Sequence, residues 1–152
     1  MTARMLVLAA AMLLVVPVVA LAKSYKLKGT FGNDDNATVS LKVKLGKAKK
    51  GKKGKPSKVS GFAVTKINYR CSDDVTAGEL DIKVPGSIKV KYDKSVPGYI
   101  FRKDTTVSGR TVEIFGKVSK SGKKADGEFS VEFQNGPTLQ CANGALGWRA
   151  KK

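Results

Sequence analysis

The 152-residue chain predicts an all-β domain: an antiparallel β-sandwich, or barrel-like sandwich, with one disulfide between Cys71 and Cys141. Three observations lead there. Beyond the first twenty-two residues, apolar side chains recur at every second position in short runs, the period of a half-buried strand. Turns containing Gly, Pro or Asn separate these runs, and no window places apolar residues at i, i+3, i+4 and i+7 between caps. The two cysteines both fall inside strand patterns, so a single bridge can staple two parts of one sheet system.

Taken in order, Tyr25 to Phe31 alternates bulky with charged residues, and Gly32 to Asn36 is a turn. Ala37 to Leu45 is the cleanest strand: Val39, Leu41, Val43 and Leu45 share one face, and Ser40, Lys42 and Lys44 share the other. Residues 46–58 break the pattern and form a flexible Lys- and Gly-rich loop. Val59 to Cys71 is a long strand whose buried parity changes midway, which predicts a bulge near Thr65. A loop from Ser72 to Gly78 leads to a strand at Leu80, Ile82 and Val84. Pro85-Gly86 then turns the chain into Ile88, Val90 and Tyr92. Tyr99-Ile100-Phe101 is a short apolar piece across the end of a sheet, and Thr111 to Ser119 is a further strand. Ala125 to Ala150 supplies two or three adjacent strands, turning at Asn135-Gly136-Pro137 and Asn143-Gly144. The total is about eight to eleven strands.

The first twenty-two residues have the composition of a secretory leader. Arg4 is the basic start, Leu6 to Ala20 is the apolar run, and Ala20-Leu21-Ala22 places small residues before a cleavage point at Lys23. The precursor is expected to form a helix there. The mature domain is then residues 23–152, with no second apolar run long enough to span a bilayer and no lipid-anchoring cysteine after the first. Export puts Cys71 and Cys141 in an oxidising compartment, where they pair. Closing a loop of about 70 residues constrains the unfolded chain by roughly 4 kcal/mol in the chain-entropy account. Trp148 is expected to be a core plug over that bridge rather than a sugar-stacking platform.

Charge is the strongest compositional signal. With 29 Lys+Arg against 12 Asp+Glu the net charge is +17, and removing a leader whose only charged residue is Arg4 lowers it to +16. Such a surplus speaks to partners and not to fold. The candidate site is the loop, where Lys47, Lys49, Lys50, Lys52, Lys53, Lys55 and Lys58 alternate with glycines. Lysines are point charges on long stems and can follow a polyanion without fixed geometry. Candidates are wall phosphopolymers, anionic lipids and extracellular nucleic acid. Neutralising nucleic-acid phosphates with seven lysines would give a salt slope of about −6 in log K. Sequence-specific reading of nucleic acid is not expected, because the loop has no aromatic to stack and arginine is scarce. The plainer reading of the loop is a solvated, solubilising charge run.

Enzymatic chemistry has little to work with. The chain has no histidine, which removes the usual general base and activator of nucleophiles. Asp73 with Asp74, or Glu128 with Glu132, are the clustered carboxylates a glycan-acting enzyme would use, but the alternation turns Glu128 and Glu132 toward solvent. Asn33-Asp34-Asp35-Asn36 offers oxygen atoms without the spacing or terminal glutamate of a calcium loop and reads as a polar turn. Asn36-Ala37-Thr38 is a formal glycosylation sequon. Neither cofactor nor metal is expected. A second functional class, an inhibitor- or adhesin-type protein-directed module, would use exposed apolar side chains near Tyr99, Ile100 and Phe101.

Lys58-Val-Ser-Gly-Phe62, Tyr69-Arg-Cys71, Val112-Glu-Ile-Phe-Gly116, Ala125-Asp-Gly-Glu-Phe129 and the ending Cys141-Ala-Asn-Gly-Ala-Leu-Gly-Trp148-Arg-Ala150 resemble a group of small secreted actinobacterial β-sandwich proteins of unassigned function. The resemblance covers most of the mature chain. It implies export and a disulfide-stapled sandwich, and its motifs are structural. Where that group has a short turn between early strands, this chain carries the lysine loop. The resulting expectation is a non-enzymatic secreted or wall-associated domain that takes an anionic envelope polymer through residues 47–58.

Overall fold

The computed structural model describes residues 22–48 and 52–152. The helix expected for the leader, and Lys49 and Lys50, lie outside the described residues. All regular structure among the described residues is strand: β1 (Ser24–Phe31), β2 (Asp34–Leu45), β3 (Pro56–Cys71), β4 (Ala77–Lys83), β5 (Ser87–Lys89), β6 (Lys91–Asp93), β7 (Gly98–Val107), β8 (Arg110–Val118), β9 (Lys124–Asn135), β10 (Leu139–Ala142) and β11 (Leu146–Lys151).

The sheet closes on itself. Antiparallel pairings run β3–β2–β1–β11–β9, and the four-residue β10 pairs with both β9 and β3. The result is a six-stranded barrel and not two separate sheets, which decides between the sandwich and barrel-like alternatives. β3 and β9 are branch strands: β4 and β5 extend from β3, and β8, β7 and β6 extend from β9. The ring closes through Cys141 opposite Cys71 and Ala142 opposite Arg70, and there the two cysteines form the disulfide, with Cα atoms 3.9 Å apart.

β3 keeps one face on the core through two bulges. Opposite β2, the step from Ser60 to Ala63 spans one residue more than the step from Lys42 to Ser40, and Gly61 takes the extra residue at φ 58°. Opposite β4, Val64 to Ile67 is again one residue longer than Ile82 to Leu80. Lys66 sits there at φ 55°, with its N–H donated to Asp81 Oδ1 at 2.8 Å. Each extra residue reverses the alternation, so Val59, then Phe62 and Val64, then Ile67 and Cys71 are all buried. The second bulge is the one expected near Thr65; the first follows from Val59 and Phe62 having opposite parity.

Several sequence expectations change. Tyr99-Ile100-Phe101 is not a short piece across a sheet end but the start of the ten-residue β7, paired along its length with β8 through a turn at Ser108 and Gly109, both at positive φ. Its outer half, Arg102 to Thr106, consists of three charged residues and two threonines and has no apolar period to read. Ile88, Val90 and Tyr92 do not share a strand: β5 pairs with β3 and β6 with β7. The first hairpin turn shrinks to Gly32 and Asn33, since Asp34 already lies opposite Phe31. The lysine loop ends earlier than residue 58, because β3 begins at Pro56.

Asp34 explains the tight first hairpin. It is the buried charged residue of the core, and Oδ1 accepts the N–H groups of Asn36 and Ala37 at 3.3 and 3.2 Å. Oδ2 accepts the backbone N–H and Nδ2 of Asn68 at 3.2 and 2.8 Å. A buried carboxylate with four donors is satisfied, and here it locks the β1–β2 turn onto β3.

Trp148 is a core plug but not a lid on the disulfide. It is 1% exposed, edge-on to Phe62 at 5.6 Å and tilted against Phe101 at 6.2 Å. The aromatic pair at the bridge is Tyr69 with Phe133, at 5.1 Å: Phe133 is the register partner of Cys141, and Tyr69 precedes Cys71 by two residues on one strand face.

Candidate functional site

Residues directly opposite one another in antiparallel strands project from the same face, with strands about 4.8 Å apart and like-facing residues about 6.7 Å apart along a strand. Applying the register to the outer face of β5, β3, β2 and β1 gives three cross-strand rows. The first is Lys89, Lys58, Lys44 and Ser24; the second is Ser87, Ser60, Lys42 and Lys26. The third begins at Lys83 on β4 and passes Ala63, Ser40 and Lys28 to Lys151 on β11 and Lys124 on β9. All of these lysines are exposed.

No carboxylate enters these rows. The sequence has no Asp or Glu between Ala37 and Ser72, and the acids of β9 first join a cross-strand row one step further on. That next row runs Thr65, Thr38, Thr30, Arg149 and Asp126, and the Thr38 and Thr65 hydroxyls hydrogen-bond at 2.6 Å. Lys44 faces Lys58, Lys58 faces Lys89, Lys26 faces Lys42, and Lys151 faces both Lys28 and Lys124. Like charges placed directly opposite are destabilising. Among the described residues the one ion pair is Arg102 Nε with Asp104 Oδ1, at 3.6 Å on β7.

The hairpin connection between β2 and β3 leaves this face beside its first row. Lys47, Lys52, Lys53 and Lys55 are exposed, Gly46 N–H is donated to the Lys55 carbonyl at 2.8 Å, and Ser57 Oγ donates to the Lys44 carbonyl at 3.1 Å. Lys58 is a strand residue of the face itself, between Lys44 and Lys89. The loop lysines and the sheet lysines thus form one basic surface. Lys26, Lys28, Lys42, Lys44, Lys83, Lys89, Lys124 and Lys151 are absent from the candidates that the sequence suggests. Their alternate spacing on β1 was readable, but their alignment with β2, β3, β9 and β11 needs the register.

The carboxylates are used elsewhere. Asp73 receives the Thr76 hydroxyl and the N–H groups of Thr76 and Val75. The Thr76 hydroxyl first, then its backbone N–H, holds the Asp73 carboxyl below its ordinary 3.8. The Ser95 hydroxyl and then the Ser95 N–H lower Asp93 in the same way. Glu128 and Glu132 are exposed, as the alternation predicts. A cleft bordered by β7, β8 and β9 is lined by Arg102, Asp104, Glu113, Phe115 and Glu128, among others, while Asp126 and Asp81 stand two residues along their strands from Lys124 and Lys83.

Of the residues considered for an apolar docking patch, Tyr99 and Phe101 are buried, at 8% and 2% exposure, and Ile100 is half-buried. Of the exposed large apolar residues, Tyr92 and Val96 share the β6–β7 hairpin, and Val75 and Phe115 lie on other elements. No helix among the described residues is long and apolar enough to cross a membrane. Compared with protein families, curated proteins and solved structures, the chain matches none of them.

Proposed function

We propose that this protein is a non-enzymatic polyanion-binding module that acts outside the cell, free or associated with the wall, through the lysine rows of β1, β2, β3 and β5 together with the loop lysines, Lys49 and Lys50 included. The observation that carries the reading is the uncompensated register: five lysine pairs stand face to face, and no acid interrupts them. An arrangement that costs stability in the free protein is relieved when an anion binds it. Lysine, as a hydrated point charge, suits phosphates or sulfates presented without fixed geometry.

Export is supported by the leader pattern and by a disulfide that an oxidising compartment maintains. The resemblance to small secreted actinobacterial proteins points the same way. A non-enzymatic role is supported by the absence of histidine and by the use of Asp34 and Asp73 as turn-capping acceptors.

The test is salt-dependent retention on heparin and on isolated cell wall, for wild type and two variants. One variant changes Lys47, Lys52, Lys53 and Lys55 to Ser; the other changes Lys26, Lys42, Lys44 and Lys58 to Ser. Both should elute at lower salt, the sheet variant by at least as much. Wild-type elution at physiological ionic strength would remove the reading; wild-type behaviour of the sheet variant alone would return the site to the loop.

A further inference from the structure

We infer that the ligand of the basic surface is a flexible, base-free linear polyanion, a chain of phosphodiester or sulfate groups, that wraps around the barrel along the row from Lys83 to Lys124. This rests on the polyanion-binding reading and narrows it to one kind of chain.

The geometry of the third row carries the step. It crosses β4, β3, β2, β1, β11 and β9 in succession. Five of these six strands belong to the closed ring, which needs only β10 to complete it. The row therefore follows most of the circumference, and its terminal lysines point to different sides of the barrel. A plane, such as an anionic bilayer, touches a convex surface along one side and misses the rest. A DNA duplex, with a persistence length of about 50 nm, cannot bend around so small a barrel. A flexible chain can follow the row.

The side chains along the track fit such a chain. Ala63 and Ser40 are small and lie between the lysines at its two ends, leaving a low passage across β3 and β2. Lys42 and Lys26 stand one step to one side, and Thr38, Thr30, Arg149 and a single acid, Asp126, one step to the other. Charge is thus offered from the track and its first flank, and hydroxyl donors from Ser40 and the threonines. No aromatic ring projects from these rows: Tyr25, Phe31 and Phe62 belong to the buried faces of β1 and β3. Bases would find no stacking surface, which single-strand nucleic-acid binders rely on. Across six strands the track is about 24 Å at the backbone and longer at the lysine tips.

The experiment is equilibrium binding of the mature chain, at low salt, to five probes: poly(glycerol phosphate) of graded length, heparin fragments, oligothymidylate, blunt duplex DNA and phosphatidylglycerol vesicles. Wild type should bind poly(glycerol phosphate), heparin or both at least about ten-fold tighter than duplex or vesicle at equal charge, with affinity rising until the chain spans the track. Which of the two binds tighter identifies phosphate or sulfate as the group taken. Changing Lys28, Lys83, Lys124 and Lys151 to Gln should weaken the flexible chains by about ten-fold or more and duplex by less than about three-fold, with an unchanged circular dichroism spectrum. Equal affinity for all probes, or oligothymidylate binding about ten-fold tighter than base-free chains of its charge, would overturn the wrapped, base-free ligand while leaving polyanion binding in place. Failure of every probe to bind would overturn the polyanion reading, and this inference with it.

Discussion

Trp148 on β11 and Phe101 on β7 meet at a ring-centroid distance of 6.2 Å although two strands lie between them. The register puts Gly127 of β9 opposite Trp148, Gly116 of β8 opposite Gly127, and Phe101 opposite Gly116. Two successive glycines clear the row, and the indole and phenyl rings close over the gap. A Cβ at Gly116 would run into the Phe101 ring, and one at Gly127 would run into the backbone of Phe115 and Gly116.

Gly116→Ala and Gly127→Ala are therefore expected to lower unfolding stability by about 1–3 kcal/mol each through overpacking, and Phe101→Ala by about 3–5 kcal/mol through the cavity it leaves. Urea midpoints measure all three. An unchanged midpoint for Gly116→Ala would mean that the Phe101 ring can turn aside and that the glycine row is incidental.

The disulfide stands where the ring closes. β10 has two register pairs with β3, one of them the cysteine pair itself. Replacing Cys71 and Cys141 by Ala should cost roughly 4 kcal/mol. Hydrogen exchange should rise first at Gln140 to Ala142 and at Ser72, whose N–H is donated to the Gln140 carbonyl at 2.8 Å. Uniform loss of protection across β1, β2 and β11 instead would show that the bridge does not act at the closure.

Asp34→Ala strands donors from Asn36, Ala37 and Asn68 in a buried setting. The expected cost is about 2–3 kcal/mol, visible in thermal melts. Asn68→Ala should lose less, because Asp34 keeps its three backbone donors. Equal losses would contradict this ranking.

Hydroxyl and backbone N–H donors lower Asp73 and Asp93, and each contributes to the acid side of the stability profile. Their folded-state values lie below the ordinary 3.8, so their contribution is complete above that value and is lost as pH falls through the lowered one. Carboxyl NMR titration should place both midpoints below 3.8, and Thr76→Val should return Asp73 toward it. A Thr76→Val variant that leaves Asp73 where it was would assign the shift to something other than the hydroxyl.

Lys58 lies between Lys44 and Lys89 in one row, so Lys58→Glu exchanges two repulsions for two attractions. Its Tm should rise by a few degrees at low salt and return toward wild type near 1 M, where screening reaches about 3 Å. A Tm that falls at low salt would be incompatible with a self-repelling face.

Period-2 alternation was enough to mark β1, β2, β8 and the first half of β9, because each buries one face and wets the other. The parity change within β3 located the bulge at Lys66, whereas the second, at Gly61, emerged only from the pairing of β3 with β2. The outer half of β7 was not readable, because a strand that leaves the core loses the apolar period that identifies it. The split between β5 and β6 was hidden for another reason. Ile88 and Val90 are both buried with strand spacing, and nothing local to residues 87–93 says that pairing passes from β3 to β7.

The same division runs through the candidate site. Composition and local pattern by themselves determined an all-β chain, a single possible bridge, a large basic surplus and a lysine-rich hairpin loop, because charge, periodicity and cysteine number are properties of short stretches. Tertiary structure alone decided that the strands close into a ring, that Trp148 packs on Phe62 and Phe101 and leaves the disulfide to Tyr69 and Phe133, and that Lys58 belongs to a sheet. It also decided that lysines as far apart in sequence as Lys28, Lys124 and Lys151 stand side by side. Register is set by bulges and by strand pairing over long sequence separations, and a shift of one residue would have turned the lysines inward.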